Sequence, residues 1–152
     1  MRLRQAMALA DEAAAAGDVP VGAVLCVGER VFEARNEREQ RPDPTAHAEV
    51  LAIRAAAAAL DRWRIGGTLY VTKEPCAMCA AAIAAARIER VVFGCRDPKG
   101  GAAGSVVDIF ESAAVNHRVI VRGGVLADET ANQLRAFFAA RRSTSAERWS
   151  SG

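Results

Sequence analysis

The chain has 152 residues, which suits a single domain with a substantial buried core. Its 20 basic and 18 acidic residues leave a net charge of +2, which does not by itself indicate a nucleic-acid partner. It has neither an apolar run long enough to cross a membrane nor an amino-terminal signal peptide, so we expect a cytoplasmic protein without a membrane partner.

Apolar periodicity, strand-like alternation and turn residues predict four helices and five strands. Thr45 is placed to cap the second helix, which puts His47 and Glu49 in its first turn. In chain order the predicted elements are a helix at 2–16, strands at 21–27 and 30–35 with a two-residue turn at Gly28-Glu29, a helix at 45–60, a strand at 68–72, a helix at 76–86, a strand at 90–95, a segment at 106–112 that could form a short helix, a strand at 118–121 and a helix at 127–142.

The connection between the last two strands predicts the arrangement of the sheet. It is too long for a tight hairpin and long enough for a crossover, so these strands should be parallel. The predicted fold class is therefore α/β, a three-layer α/β/α sandwich on a mixed five-stranded sheet. We expect one domain at residues 1–142 and a disordered tail at 143–152.

The most informative feature is an ordered pattern, His-x-Glu followed by Pro-Cys-x-x-Cys. His47, Cys76 and Cys79 supply one imidazole and two thiolates, so a tetrahedral zinc would keep its fourth position for water. Glu49 is a carboxylate close to this set that can move protons without binding the metal. The proline before Cys76 argues against a redox pair of the thioredoxin type. The pattern predicts a hydrolytic site with one zinc ion per chain.

This pattern resembles the signature of the zinc-dependent cytidine and adenosine deaminase superfamily, and within it the chain is similar to bacterial tRNA-specific adenosine deaminases. The resemblance implies a cytidine deaminase-like fold, a homodimer, and conversion of adenosine to inosine at the wobble position of a tRNA anticodon, with an arginine tRNA as the expected substrate. The matching segments are 19–24, Asn36, 43–49, 68–72, 74–76, 87–88, 91–94, 101–105, 116–119 and 137–138.

The resemblance also implies which residues bind the anticodon loop. They are Val19, Asn36, Ala48, Asp97, Lys99, His117, Phe138 and Arg142. Asn36 would hold the flipped nucleotide, while Val19 and Ala48 would shape its pocket. Taken alone, these residues have ordinary structural explanations, since an asparagine can close a strand and a phenylalanine can lie in the core. The segment at 37–42 is more charged than its counterpart in the family.

Two other functions remain open from the sequence. The first is deamination of a free base or nucleoside, such as guanine or cytosine, against which the basic last helix and the loop at 101–105 argue. The second is a non-catalytic RNA-binding subunit with a closed structural zinc, whose fourth ligand would be Cys26, Cys95 or His117. The presence of Glu49 argues against this second function. Without a metal role, Cys26 and Cys95 are expected to be core thiols.

Overall fold

The computed structural model describes the backbone of residues 1–150 and the side chains of residues 1–144. None of the helices in this part of the chain combines the length and the apolar character needed to span a membrane. In chain order the elements are α1 (Arg2–Ala15), β1 (Gly22–Val27), β2 (Arg30–Arg35), α2 (Ala48–Leu60), β3 (Thr68–Lys73), α3 (Ala77–Ala85), β4 (Arg90–Cys95), β5 (Ile120–Arg122) and α4 (Ala127–Ser150).

The strands form one mixed sheet in the order β2-β1-β3-β4-β5. Strand β1 pairs antiparallel with β2 and β3, whereas β3, β4 and β5 are parallel. Val27 lies opposite Arg30, which confirms the predicted two-residue turn. The parallel pairing of β4 with β5 confirms the predicted crossover, and the sheet confirms the predicted fold class.

Helices cover both faces of this sheet, and alternate residues of β1 belong to the two resulting cores. Leu25 lies in the larger core with residues of α2 and α3, whereas Val24 packs with Leu3 of α1 on the opposite face. This alternation is the two-residue period of an extended strand. Burial on both faces explains why β1 carries no charged residue, and it produces the three-layer sandwich.

The start of α2 differs from the prediction. The helix begins at Ala48, and its N-cap is His47 rather than Thr45. The backbone N–H and the hydroxyl of Thr45 both donate to Oδ1 of Asp43, each over 2.8 Å. These two bonds hold Thr45 in a local turn that lies outside the helix, so its side chain does not cap α2. Similarly, α3 begins one residue late, with Cys76 as its N-cap.

The long connection between β4 and β5 also differs, because the short helix at 106–112 does not form. Its backbone instead folds back on itself, with Gly104 N–H donating to the Val107 carbonyl and Ile109 N–H donating to the Ala102 carbonyl. Strand β5 accordingly starts two residues later than predicted. The last helix continues to Ser150, beyond the predicted end at Arg142. Residues 151–152 of the predicted tail lie outside the described residues, and the division into a domain at 1–142 and a disordered tail stays a prediction.

Candidate active site

Two helices begin at the carboxyl end of β3, and a predicted metal ligand is the N-cap of each. His47 precedes α2 and Cys76 precedes α3, both in extended conformation, and neither side chain bonds the backbone of its own helix. The first N–H groups of a helix have no partner within the helix, and they carry the positive end of its dipole. This end of the sheet therefore favours negatively charged groups such as thiolates and carboxylates.

The three predicted metal ligands lie together. The His47 Nδ1 atom is 3.7 Å from the Cys76 Sγ atom and 3.4 Å from the Cys79 Sγ atom. A tetrahedral zinc bound at ordinary distances would hold a nitrogen and a sulfur ligand about 3.6 Å apart, so the donor set fits this ion. In the part of the chain with described side chains, no second group of metal-binding residues is arranged in this way.

The candidates for a fourth protein ligand are occupied elsewhere. Cys95 Sγ contacts the Thr72 carbonyl at 3.8 Å, and the His117 Nε2 atom lies 2.8 Å from the Ile88 carbonyl oxygen. Cys26 packs with the core on the α1 face. None of the three belongs to the ligand group. The closed structural zinc considered above therefore lacks its fourth protein ligand among the described side chains.

The pKa values of the three ligands are shifted in different directions. Hydrogen bonds with Cys79 and with His47 lower the pKa of the Cys76 thiol to about 3. The hydrogen bond with Cys76, followed by burial, raises the pKa of Cys79. Hydrogen bonding with Cys76 raises the pKa of His47. The site therefore contains a thiolate, which is the form of cysteine that binds metals.

Glu49 is the second residue of α2, and its carboxyl group is almost completely buried, with 4% of the residue exposed. Burial, which removes water from the carboxylate, raises its pKa. A carboxyl group whose pKa moves toward neutrality can both accept and return a proton at physiological pH. Glu49, whose pKa is raised in this direction, lies in the wall of the cavity that also contains His47 and Cys76.

A cavity of about 310 Å³ opens over these groups. Asn36 lies in its wall, where Nδ2 donates to the Val19 carbonyl over 3.2 Å. Its Oδ1 atom is buried and has no hydrogen-bond partner among the described residues. An unpaired buried acceptor is costly unless a ligand supplies a donor. The lining residues are Val19, Val21, Asn36, Arg38, His47, Ala48, Glu49, Lys73, Glu74, Cys76, Asp97, Phe138 and Arg141.

The structure places five of the eight predicted substrate contacts in this cavity wall and three outside it. Lys99 and Arg142 are exposed and do not line the cavity. His117 faces a separate cavity beside Phe110 and Arg118. The roles of all eight residues stay predictions.

Several lining residues were not predicted from the sequence, and Lys73 and Glu74 are the clearest examples. The Lys73 ammonium lies 3.2 Å from the Asp97 carboxylate. Glu74 is 2% exposed. Burial by itself would raise its pKa, but hydrogen bonds from Ser105, Asp97 and Ala103 outweigh burial, so the pKa lies below its usual value. The sequence offered one signal for these two residues. Lys73 and Glu74 are adjacent charged residues that stand directly before the Pro75-Cys76 motif.

Arg38 and its loop form the part of the rim where the sequence departs from the family. Arg38 lines the cavity. The buried Asp18 accepts hydrogen bonds from the backbone N–H groups of Glu39, at 2.9 Å, and Gln40, at 3.4 Å. The charged segment at 37–42 is therefore fixed to Asp18, which follows α1, and it contributes Arg38 to the cavity wall.

Comparison with known proteins shows extensive similarity. A family model described as MafB19-like deaminase matches residues 1–142. The tRNA-specific adenosine deaminase of Bacillus subtilis is 46% identical over 138 residues, which cover 90% of this chain and 86% of that protein. A solved structure from a study of A-to-I editing by tRNA:A34 deaminases is 43% identical, with a TM-score of 0.84, and the match covers 87% of this chain and 97% of that one. A guanine deaminase structure from Bacillus subtilis is 32% identical, with a TM-score of 0.61, over 93% of this chain and 91% of that one.

Proposed function

The chain belongs to the family of tRNA-specific adenosine deaminases, and on that premise we propose that it hydrolyses adenosine to inosine at the wobble position of a tRNA anticodon. The observation that carries this proposal is the placement of a buried carboxyl group, Glu49, beside a His/Cys/Cys ligand set in the wall of one cavity. The similarity to the Bacillus subtilis enzyme over most of both chains supports the choice of substrate.

The proposed cofactor is one zinc ion per chain, held by His47, Cys76 and Cys79. The distances among these ligand atoms suit zinc, and three protein ligands are typical of catalytic rather than structural zinc sites. Bound zinc would supply Lewis acidity that makes water available as a nucleophile at neutral pH.

Glu49 performs the proton transfers. Its carboxylate takes a proton from the attacking water as the water oxygen bonds to C6 of adenine, and it delivers protons to the ring N1 and to the exocyclic amine. The C–N bond then breaks, ammonia leaves, and the base becomes hypoxanthine. The raised pKa of the buried Glu49 suits a group that must hold and release a proton in one cycle.

Asn36 orients the base. Asn36 lies in the wall of a cavity of about 310 Å³, and a base that donates a hydrogen bond to its buried Oδ1 atom would remove the cost of leaving that oxygen unpaired. Val19 and Ala48 bound the same cavity. The target lies in a single-stranded loop, so turning it out into the cavity costs less than extracting it from a duplex.

Contacts to flanking nucleotides are assigned to the rim. Asp97, Phe138 and Arg141 line the cavity, with Phe138 40% exposed, and we assign them contacts with neighbouring nucleotides. Lys99, His117 and Arg142 are proposed to act further along the RNA. An arginine tRNA is the proposed substrate because of the resemblance to the bacterial enzymes.

We also propose a homodimer located in the cytoplasm. The outer face of α3 is exposed and apolar, with Ala77, Met78 and Ala81 along it, which supports contact with a second copy. The cytoplasmic location follows from the tRNA substrate.

The test compares substrates directly. Purified protein is incubated with an anticodon stem-loop containing adenosine at the wobble position, and separately with free adenosine, guanine and cytosine, and ammonia release is measured. The Glu49→Gln variant serves as the control for contaminating activity. We expect turnover of the stem-loop only. Efficient turnover of free guanine with an inert stem-loop would replace this function by free-base deamination.

A further inference from the structure

Glu74 connects the metal-binding segment to one loop. It lies between β3 and Pro75, two residues before Cys76, and its carboxylate accepts hydrogen bonds from donors that all belong to residues 97–105. Oε1 accepts from the Asp97 backbone N–H at 3.0 Å and from the Ser105 hydroxyl. Oε2 accepts from the backbone N–H groups of Ala103 at 3.0 Å and Ser105 at 3.1 Å.

The loop packs directly against this carboxylate. A Cβ atom added at Gly101 would lie 2.4 Å from the Glu74 Cδ atom, so a side chain at this position would push the loop away. The Ala102 N–H donates to the Pro75 carbonyl over 2.8 Å, which adds a backbone tie between the same two segments. Glu74 and Pro75 are consecutive and lead into α3. The position of the loop is therefore coupled to the position of this segment.

Asp97 is the first residue of this loop. It is held by two consecutive residues, Lys73 at the end of β3 and Glu74 directly after it. Glu74 binds its backbone N–H, and the Lys73 ammonium lies 3.2 Å from its carboxylate. Asp97 also accepts the Lys99 N–H over 3.0 Å. These contacts fix both the backbone and the side chain of a residue that lines the cavity.

We propose that Glu74 is a positioning residue that sets the place of Asp97, and hence the fit of the RNA, relative to the ligand Cys76. This inference rests on the proposed function. Because both oxygens of the Glu74 carboxylate accept hydrogen bonds from the loop, although the residue lies in the cavity wall, it acts through Asp97 on substrate binding more than on the chemical step.

The structure indicates how the Glu74→Gln variant would fail. Glutamine has one acceptor oxygen, and its NH₂ group cannot accept a hydrogen bond. Facing Ala103 and Ser105, the NH₂ group would meet two backbone N–H donors. Facing Asp97 and the Ser105 hydroxyl, it would meet only one fixed donor, since a hydroxyl can rotate. The second orientation is less costly, and it releases the Asp97 N–H.

The test measures stem-loop binding, kcat and KM, zinc content and melting temperature for wild type and Glu74→Gln. We expect KM and Kd to rise by about 10-fold, with zinc content unchanged and a smaller change in kcat. Glu33→Gln, a matched change on the exposed part of β2, should leave all four quantities unaltered. Ser105→Ala removes one donor, and Gly101→Ala displaces the loop with Glu74 intact. Both variants should raise KM, as Glu74→Gln does. They test the proposal if the Glu74→Gln variant does not fold.

A double-mutant cycle with Asp97→Ala separates positioning from general stability. If Glu74 acts through Asp97, the Glu74→Gln change should cause little further rise in Kd in the Asp97→Ala background. An equal rise in both backgrounds, or wild-type Kd and KM in the Glu74→Gln variant, would overturn the proposal. Binding that depends on Glu74 without any turnover by the wild type would instead contradict the proposed function and leave this inference standing.

Discussion

His47 and Cys76 occupy N-cap positions, but their side chains do not cap the helices. Both side chains instead belong to the metal-ligand group. A polar N-cap side chain ordinarily accepts a hydrogen bond from the first helical turn. Here both side chains turn toward Cys79 instead. The helix ends retain N–H groups without a side-chain cap, and their partial positive charge faces the thiolate of Cys76.

The first prediction concerns Glu49. Glu49→Gln should retain zinc and bind the stem-loop with near wild-type Kd, because the carboxylate is proposed to move protons and not to bind metal or RNA. Its kcat should fall by about 10²- to 10⁴-fold or more, since a single proton-transfer group contributes about this factor. Single-turnover kinetics with metal analysis by mass spectrometry would measure both. A variant that keeps most of the wild-type rate would refute the assigned role.

The second prediction concerns the ligands. Cys76→Ala and Cys79→Ala should each lose bound zinc and lower the melting temperature by about 10 °C, because metal binding and folding are coupled. Cys26→Ala is the matched control, since Cys26 lies outside the ligand group. Zinc content near one per chain in either ligand variant, with full activity, would contradict the metal assignment.

The sequence predicts the ligand set and Glu49, because these residues follow a short pattern with fixed chemistry. It did not identify Glu74, whose partners lie 23 to 31 residues further along the chain. Contacts at such separations depend on how β3, β4 and the following loop come together. No local pattern around Glu74 contains that information.

At the scale of elements, close approach of α1 to β1 shapes the second core. An added Cβ at Gly22 would lie 1.9 Å from the Ala6 carbonyl oxygen, which is helix backbone and cannot turn aside. The third prediction is that Gly22→Ala lowers the free energy of unfolding by about 1–3 kcal/mol through overpacking. Urea denaturation would measure this. Gly100→Ala, which meets only a carboxylate oxygen at 3.4 Å, is the control, and equal stability of the two variants would contradict this packing.

The predicted elements fail where tertiary or local side-chain contacts outweigh propensity. Asp43 holds Thr45 in a local turn, and the helix starts at Ala48. The loop at 97–105 is held by Glu74, and the backbone at 104–109 folds back, so the short helix that was possible at 106–112 does not form. The strand register of the hairpin and the parallel β4–β5 pair were predictable, since a turn sequence and a connection length determine them.

At the scale of the whole molecule, the net charge is small, but two adjacent arginines of α4 lie at or near the cavity. Arg141 lines the cavity and lies 5.3 Å from the centroid of the Phe137 ring, and Arg142 follows it on the exposed surface of α4. Charges close to a binding site affect a polyanion more than the sum over the molecule, because salt screens distant charges.

The fourth prediction is that stem-loop binding weakens with added salt. The slope of the logarithm of the association constant against the logarithm of the salt concentration should be about −0.7 for each single-strand phosphate contact that is neutralised. Arg142→Ala should flatten this slope, whereas Asp97→Asn should alter affinity with the slope unchanged, because groups that recognise bases and sugars release no counterions. A slope that stays the same in Arg142→Ala would remove this residue from the phosphate contacts.

The most direct test of the central claim is deamination of total tRNA, since it lets the protein choose its own substrate. Purified protein is incubated with total tRNA from a bacterium that lacks this modification, and inosine is detected by sequencing as an A-to-G change. Wild-type protein should produce the change at the wobble adenosine of one or a few tRNAs, with an arginine tRNA among them, and the Glu49→Gln variant should produce none. Unaltered wobble adenosines with zinc-loaded, folded wild-type protein would contradict the account.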